Sequence, residues 1–418
     1  MWRLPEWISR MGKFENASTG KLATVNLADP AVHTETDLTE FWRLLRREQP
    51  MHWNRASDSA PGFWVLSKHS DIMSVYRDET NFTSEKGNVL ATLLQGYDTA
   101  SGKMLAVTGG QRHRDVRNAL LKAFSPRALG RVVERVKSNT ARRISMAVQL
   151  GELDFAAEVA DHIPMGTICD LLGVPECDRA YLLRLNKSAL SSDDPGEADS
   201  DAWAARNEIL MYFMELAAER RREPQEDVVS ALATALINGE PLTPHEIVFN
   251  CYSLILGGDE TSRFAMIGAV HALIEHPDQW QFLKSGGVAL DTAAEEVLRW
   301  TTPAMHFGRV ARQDVQVRDQ VVRAGAVVTL WNCSANRDEE VFAAADVFDL
   351  GRTPNKHLTF GFGPHFCLGA YLGRAEIHAL LDALRSQVGY IEAAGEVRRT
   401  RSNLLSGFSR LPVVMTRA

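Results

Sequence analysis

The sequence has little cysteine: five in 418 residues, at Cys169, Cys177, Cys251, Cys333 and Cys367. They are odd in number, widely spaced and without a close pair, which argues against a disulfide framework and a zinc cluster. A reducing, cytoplasmic setting fits that usage. Long apolar runs are also missing. A transmembrane helix needs about 20 apolar residues, and no window supplies them. The opening stretch, Met1 to Trp7, lacks the apolar core of a signal peptide. A soluble chain is expected, with Trp2 and Trp7 capping a hydrophobic edge. The net charge is −7 with both signs interspersed, so bulk charge gives no sign of nucleic-acid binding. Repeats and low-complexity tracts are absent. Length alone suggests two or three domains, but no linker divides residues 1–418, and 45% apolar content is ample for one large core.

What is present is mainly helical patterning with a small β portion. Gly62 to Ser67 predicts a short strand, followed by a helix from about Ser70 to Arg77. Ser84 to Gly110 is rich in Gly, Thr and Ser and predicts a long loop. Arg112 to Arg179 is mainly helical in pattern, and Asn186 to Asp201 is a polar, acidic connection. The clearest helix starts at Thr243-Pro244-His245-Glu246, where Thr243 caps, Pro244 suits the first position and Glu246 completes a capping box. Apolar character continues to Ile274, and His276-Pro277 stops it. Thirty-odd residues at about 1.5 Å each span roughly 45–50 Å, so this helix should run through the core. Val315 to Val317 and Val327 to Leu330 predict strands, Asn336 to Pro354 a loop-rich stretch, and Gly407 to Val414 a closing hairpin.

One cysteine stands in an unusual setting. Cys367 lies in Phe360-Gly361-Phe362-Gly363-Pro364-His365-Phe366-Cys367-Leu368-Gly369, directly before a helical run from Ala370 to Leu384. A sulfur at a helix start meets backbone N–H groups and the positive dipole end, which favour a thiolate. Such a thiolate, with no second cysteine nearby, suits a single axial ligand of a haem iron. Gly363 and Gly369 would allow close backbone approach to the ligand plane, and His365 could reach a haem propionate. A buried free cysteine in a glycine-rich turn is the plainer alternative, and the spacing of Phe360, Gly363, His365, Cys367 and Gly369 argues against it.

Three further groups stand out. Gly257-Gly258-Asp259-Glu260-Thr261-Ser262 lies inside the long helix, where two glycines cost about 1 kcal/mol each. Their missing side chains would open a groove, and Glu260 beside Thr261 would form an acid–alcohol proton relay. A flexible spot with a solvated acidic edge is the competing account. Glu296 and Arg299 share a helix face, either as a surface pair or as a buried lock that Arg352 could join. His113 and Arg117, four apart, would point the same way and bond a carboxylate. An exposed basic face is the commoner meaning of that string. Arg309 is a similar candidate.

Together these elements resemble the cytochrome P-450 superfamily, the haem-thiolate monooxygenases. Gly62-Phe63-Trp64, Phe82-Thr83-Ser84, Leu171-Leu172-Gly173-Val174-Pro175, Ala335-Asn336-Arg337-Asp338 and Leu411-Pro412-Val413 look like the soluble bacterial type, and the resemblance covers nearly the whole chain. It implies that family's fold, a mainly α triangular helical prism with small β-sheets and a long central distal helix, treated as one domain. It implies haem b (iron protoporphyrin IX) with Cys367 as iron ligand, and His113, Arg117, Arg309 and His365 on the propionates. Phe360, Gly363 and Gly369 complete the cofactor loop. Glu260 and Thr261 match the acid–alcohol pair. Ser262 replaces the more usual threonine, and Val347 stands where many members carry arginine.

The same resemblance implies an enzyme that hydroxylates or epoxidises a small molecule with O2, two electrons and two protons. Nothing in the chain looks like a flavin or nicotinamide site, so electrons would come from a separate ferredoxin and ferredoxin reductase. Arg112, Arg114, Lys122 and Arg127 are docking candidates, though they also fit generic surface charge. Substrate contacts are expected from Val89, Leu90, Leu94, Leu254, Gly258, Ala304, Met305, His306, Phe307 and Leu405. They are mostly apolar and suit a medium or large apolar molecule such as a secondary metabolite. His306 is expected either to bond a polar group of the substrate or to turn into the core. Coupling, desaturation, N-oxidation or peroxygenase chemistry at the same site stays open, as does a non-enzymatic haem or ligand-binding module.

Overall fold

The computed structural model describes residues 25–57, 61–124, 126–190 and 199–418. Trp2, Trp7 and residues 191–198 of the expected 186–201 connection lie outside the described residues, and the ends of that connection belong to helices. The helices that position the cavity are, in chain order, α1 (Gly110–Ala123), α2 (Pro126–Leu150), α3 (Ile163–Leu172), α4 (Arg179–Leu190), α5 (Asp199–Arg222), α6 (Pro244–Glu275), α7 (Leu290–Thr301) and α8 (Ala370–Gln387). The strands used below are β1 (Met51–Asn54), β2 (Phe63–Leu66), β3 (Phe82–Thr83), β4 (Glu152–Asp154), β5 (His306–Ala311), β6 (Val327–Trp331), β7 (Val388–Ala393) and β8 (Pro412–Arg417).

The long helix forms as its sequence predicts. The Thr243 hydroxyl accepts from the Glu246 N–H at 3.3 Å, and the Glu246 carboxylate accepts from the Thr243 N–H at 2.9 Å. Pro244 takes the first turn, where a missing N–H costs nothing, and Pro277 follows the end. Its 32 residues cross two separate apolar cores. The first half (Ile247, Val248, Cys251, Ile255) packs with α1 to α5. The second half (Phe264 to Leu273) packs with α7, α8 and β8. Between them, from Leu256 to Arg263, no apolar side chain is fully buried, and the cavity opens there.

A five-stranded sheet runs β1-β2-β6-β5-β3, with β6 parallel to β2 and the other pairs antiparallel. Phe63, Trp64, Val65 and Leu66 are all buried, so β2 carries core on both faces. A three-stranded sheet runs β7-β8-β4. The expected hairpin at 407–414 does not form. Phe408–Arg410 pairs with Arg398–Arg399, while β8 pairs with β7 and β4. The residue between them, Leu411, is buried and bonds through its backbone to Phe155 and Asp154, so the chain passes straight on instead of turning.

The expected loop at 84–110 holds a short helix, Leu90–Gln95, and a single helical turn, Leu105–Val107. Leu90 and Leu93 are buried and hold that helix down, which local composition does not reveal. Glu296 and Arg299 are fully buried, with two 2.7 Å bonds between them. Arg299 also donates to the carbonyls of Asn336, Ala345 and Val347. Arg352 joins at 3.1 Å from Glu296, so the pair locks the loop-rich stretch. No described helix is long and apolar enough to cross a membrane.

Candidate active site

A cavity of about 340 Å³ lies between α6 and the Cys367 loop. Cys367 stands on its wall, with Thr261, Gly257 and Gly258 among the α6 residues that also line it. The loop is drawn tight by bonds from the Phe366 N–H to the Gly363 carbonyl and from the Cys367 N–H to the Phe360 carbonyl, at 3.0 and 2.9 Å. Gly363 sits at φ +71°, and a Cβ there would lie 2.8 Å from the Tyr76 carbonyl. Only glycine fits. Gly363 therefore serves loop packing against Tyr76 and is not on the cavity wall, whereas Gly369 is. Phe360 lines the cavity beneath the Arg374 guanidinium, 4.6 Å away. Although exposed on the cavity wall, the Cys367 thiol lies deep in the protein, and burial pushes its pKa up. The Gly369 N–H, Arg117 and Arg374 pull it back. That is the balance a cationic partner of the sulfur would tip.

The rim beside the Cys367 loop carries two arginines and two histidines. His113, Arg117, Arg309 and His365 all line the cavity. The two imidazole rings are 4.2 Å apart. Both His113 ring nitrogens are buried without a hydrogen-bond partner. Among the described residues, buried Arg309 hydrogen-bonds only to the neighbouring Gly308 carbonyl, and Arg117 only to the Phe366 carbonyl. Neither guanidinium has a carboxylate within ion-pair distance among the described residues. Burial, then the charges of nearby arginines, push His113 down to about 4 and His365 to about 2. Glu79, His113 and His365 bring ligand atoms within 4.8 Å of one another. The same arginine field repels a metal cation there and suits an anion. Buried donors without acceptors facing a cavity fit a ligand with two carboxylates, as haem b has.

On α6, Gly257 leaves open space where a Cβ would stand, as expected of the groove. At Gly258 a Cβ would meet Ile168 at 3.0 Å. The Thr261 hydroxyl donates to the Gly257 carbonyl at 2.8 Å. Glu260 departs from the expected relay. It is buried off the cavity wall, bonded to Arg263 at 2.6 and 3.2 Å. Arg263 also reaches Asp161, which Lys187 pairs from α4. A buried cation three residues away on the same helix face captures the carboxylate. Asp259 is likewise buried and accepts from Asn186 at 2.6 Å.

Of the residues expected to meet substrate, Leu254, Gly258, Ala304 and Phe307 line the cavity. Val89, Leu90, Leu94, Met305, His306 and Leu405 do not. Leu90, Met305 and Leu94 pack into a side core around Trp331, and Leu405 packs into the main core. His306 turns into the protein. It is fully buried, its ring is 4.4 Å from Trp331, and Nε2 bonds the Asn403 carbonyl at 3.0 Å. Successive side chains of a strand face opposite ways, so Phe307 on the cavity wall puts His306 on the face away from the cavity. Among the docking candidates, Arg112 is paired with Glu246 and Arg114 with Gln111. Lys122 is exposed, and the side chain of Arg127 lies outside those described.

Polar wall residues that escaped the sequence reading include Asn88, Thr167, Asn250, Ser253 and Glu376. Glu376 was the findable one. It interrupts the apolar stripe Leu372, Ala379, Ala383 of α8, and an acid on a buried helix face signals a partner.

A family model described as Cytochrome P450 matches residues 289–384. The chain is 49% identical to Cytochrome P450 NovI of Streptomyces niveus over 399 residues, which is 96% of this chain and 98% of that one. It is 32% identical to linalool 8-monooxygenase of Pseudomonas putida, over 93% of this chain and 98% of that one. Its fold matches the crystal structure of P450 OxyD, described as involved in the biosynthesis of vancomycin-type antibiotics. There the TM-score is 0.87 and identity 34%, over 94% of this chain and 100% of the other.

Proposed function

The chain belongs to the cytochrome P450 family, and from that premise we propose a haem-thiolate monooxygenase that hydroxylates or epoxidises a medium-to-large, mostly apolar secondary metabolite. Members of the family bind haem b through a cysteine thiolate. In this chain Cys367 is the residue assigned to the iron, with the Gly369 N–H supporting charge on the sulfur. His113, Arg117, Arg309 and His365 are assigned to the two carboxylates. Bound there, haem b supplies the activation of dioxygen.

The remaining chemistry is the protein's own. Gly257 leaves room over the site. Leu254, Ala304 and Phe307 offer an apolar wall that excludes water and orients a C–H bond. The Thr261 hydroxyl, resting on the Gly257 carbonyl, can rotate to hand on a proton. Electrons arrive from a separate ferredoxin and its reductase, and Arg114, bonded to neutral Gln111, and exposed Lys122 are docking candidates whose charge no carboxylate pairs among the described residues. Support for a secondary metabolite comes from the likeness to OxyD, and for an apolar one from the cavity wall.

One observation carries the reading: a single cavity joins Cys367, a carboxylate-binding rim and Thr261. The test is spectroscopic. The purified protein should hold haem, and its reduced carbonyl adduct should show the red-shifted Soret band of sulfur ligation, lost in Cys367→Ser. Absence of haem, or an unshifted band, overturns the assignment. Compounds that shift the Soret band are then turned over. A product heavier by one oxygen supports monooxygenation, whereas loss of two hydrogens or a coupled mass points to the other chemistries.

A further inference from the structure

A second hollow lies apart from the Cys367 cavity. It is a polar cleft of about 630 Å³, walled by α2, by α3 with His162 before it, and by the start of α4. A volume of that order suits a small molecule. Arg135, Asn139, Arg142 and Arg143 recur three and four residues apart along α2, so one face of that helix carries all four to the cleft.

Its two ends differ in charge. Toward Asp170 the charge is balanced: Arg135 and Arg179 both donate to that carboxylate, at 2.8 and 2.7 Å, and Arg179 also stands 3.2 Å from Glu176. Toward His162 no acid lines the wall among the described residues. Arg142 donates there to the neutral Asn139 amide oxygen at 2.8 Å. Arg143 is partly buried and bonds to nothing among the described residues, and its Nε is shut off from water without a partner. Exposed Glu158 acts on Arg143 from a distance but does not pair with it. An ordinary basic helix face is solvated, whereas a dry guanidinium N–H beside a hollow calls for an acceptor.

We propose that this cleft binds a phosphate-bearing small molecule, its phosphate held by Arg142, Arg143 and the Asn139 side-chain amide, and its remainder set against Val136, Met165 and Leu183 of the same wall. Two adjacent guanidinium groups match the double charge and three oxygens of a phosphate better than the single charge of a carboxylate. The site goes beyond the monooxygenase reading and does not depend on it.

The surroundings agree with an anion there. Burial, then the charge of Arg142, lowers the pKa of Arg143, and burial, then the charge of Arg143, lowers that of His162. An anion between them relieves both costs. The same surroundings select a small ligand over a polyanion. The chain carries a net charge of −7, and Asp170 and Glu176 at the other end of the cleft would repel a continuous phosphate backbone.

The experiment is titration calorimetry on the haem-loaded chain, so that the arginines of the other cavity are already occupied. The titrants, in Tris chloride at physiological ionic strength, are inorganic phosphate, AMP, adenosine and acetate. Inorganic phosphate, AMP or both should bind saturably, and adenosine and acetate should not. Tighter binding of AMP assigns the site to a phosphate ester, and tighter binding of inorganic phosphate assigns it to the free anion. Arg142→Gln and Arg143→Gln should each weaken that binding at least about tenfold, with Arg143→Lys recovering part of it. Arg323→Gln, which removes an exposed arginine paired with Asp314, should leave it unchanged. Should Arg143→Gln fail to fold, exposed Arg142 decides through its own variant. The proposal is overturned if neither phosphate compound saturates, if acetate binds as tightly, or if Arg142→Gln and Arg143→Gln bind phosphate as the wild type does. The reduced carbonyl band is recorded on every sample. Its absence would sink the haem assignment, while the two arginine variants would still judge the cleft.

Discussion

Gly257 shows how one residue shapes the site. A glycine inside a helix costs about 1 kcal/mol against alanine. Here a Cβ would meet nothing within 4 Å. The helix bears the cost of a space whose benefit lies in the cavity. Gly257→Ala should therefore raise stability by about 1 kcal/mol, read as a higher urea midpoint, while weakening the Soret shift produced by bound ligands. A lower midpoint would mean that the glycine serves the backbone. His306 teaches the converse. Its sequence left a substrate contact and a turn into the core both open, and strand alternation turned it to Asn403 and Trp331. A side chain's direction depends on which face of the strand is inward, and the short run Ala304 to Phe307 does not say.

Among the elements, α7 and the loop after it form the most consequential lock. Glu296 is saturated by Arg299, Arg352, Asn355 and the Asp349 N–H, all around a fully buried carboxylate. Arg299 in turn holds three carbonyls of a stretch with little regular structure. A buried pair is weak evidence for net stability, but losing one partner leaves a stranded charge, at about 3–5 kcal/mol. Arg299→Ala should lower unfolding free energy by about that amount in urea and should impair haem retention, because the loop it anchors leads to Cys367. Full stability in this variant would make the lock incidental. The i, i+3 spacing of Glu296 and Arg299 was legible, and so was α6 from its capping box. The helix at Leu90–Gln95 and the fate of the 407–414 segment were not. Both are decided by burial of Leu90, Leu93 and Leu411 against partners far away in sequence.

For the molecule as a whole, the cavity sits at a junction between two cores joined by α6. Its rim holds Arg117 and Arg309, neither of which forms an ion pair among the described residues, although the Glu79 carboxylate stands beside the two histidines and acts on Arg309. Burial lowers the pKa of Arg309, a sign that its charge is costly where it stands. A ligand with two carboxylates relieves that cost, so haem should stabilise the fold well beyond filling space. The haem-free protein should melt lower than the loaded one. Arg309→Met should narrow that gap by raising the haem-free melting temperature and lowering the loaded one, measured by calorimetry. An unchanged gap would show that Arg309 does not face the cofactor's charge. By itself the sequence determined the Cys367 loop, the helix that crosses the core and the glycine gap within it, because each is a local pattern with a local physical cause. Only the tertiary structure decided which acid faces the cavity. Glu260 adjoins Thr261 in the chain, yet Arg263 draws it away, whereas Glu376 arrives from a different helix and lines the cavity with Ser262 and Thr167. Ion pairing and burial act through space, and no spacing along the chain records them.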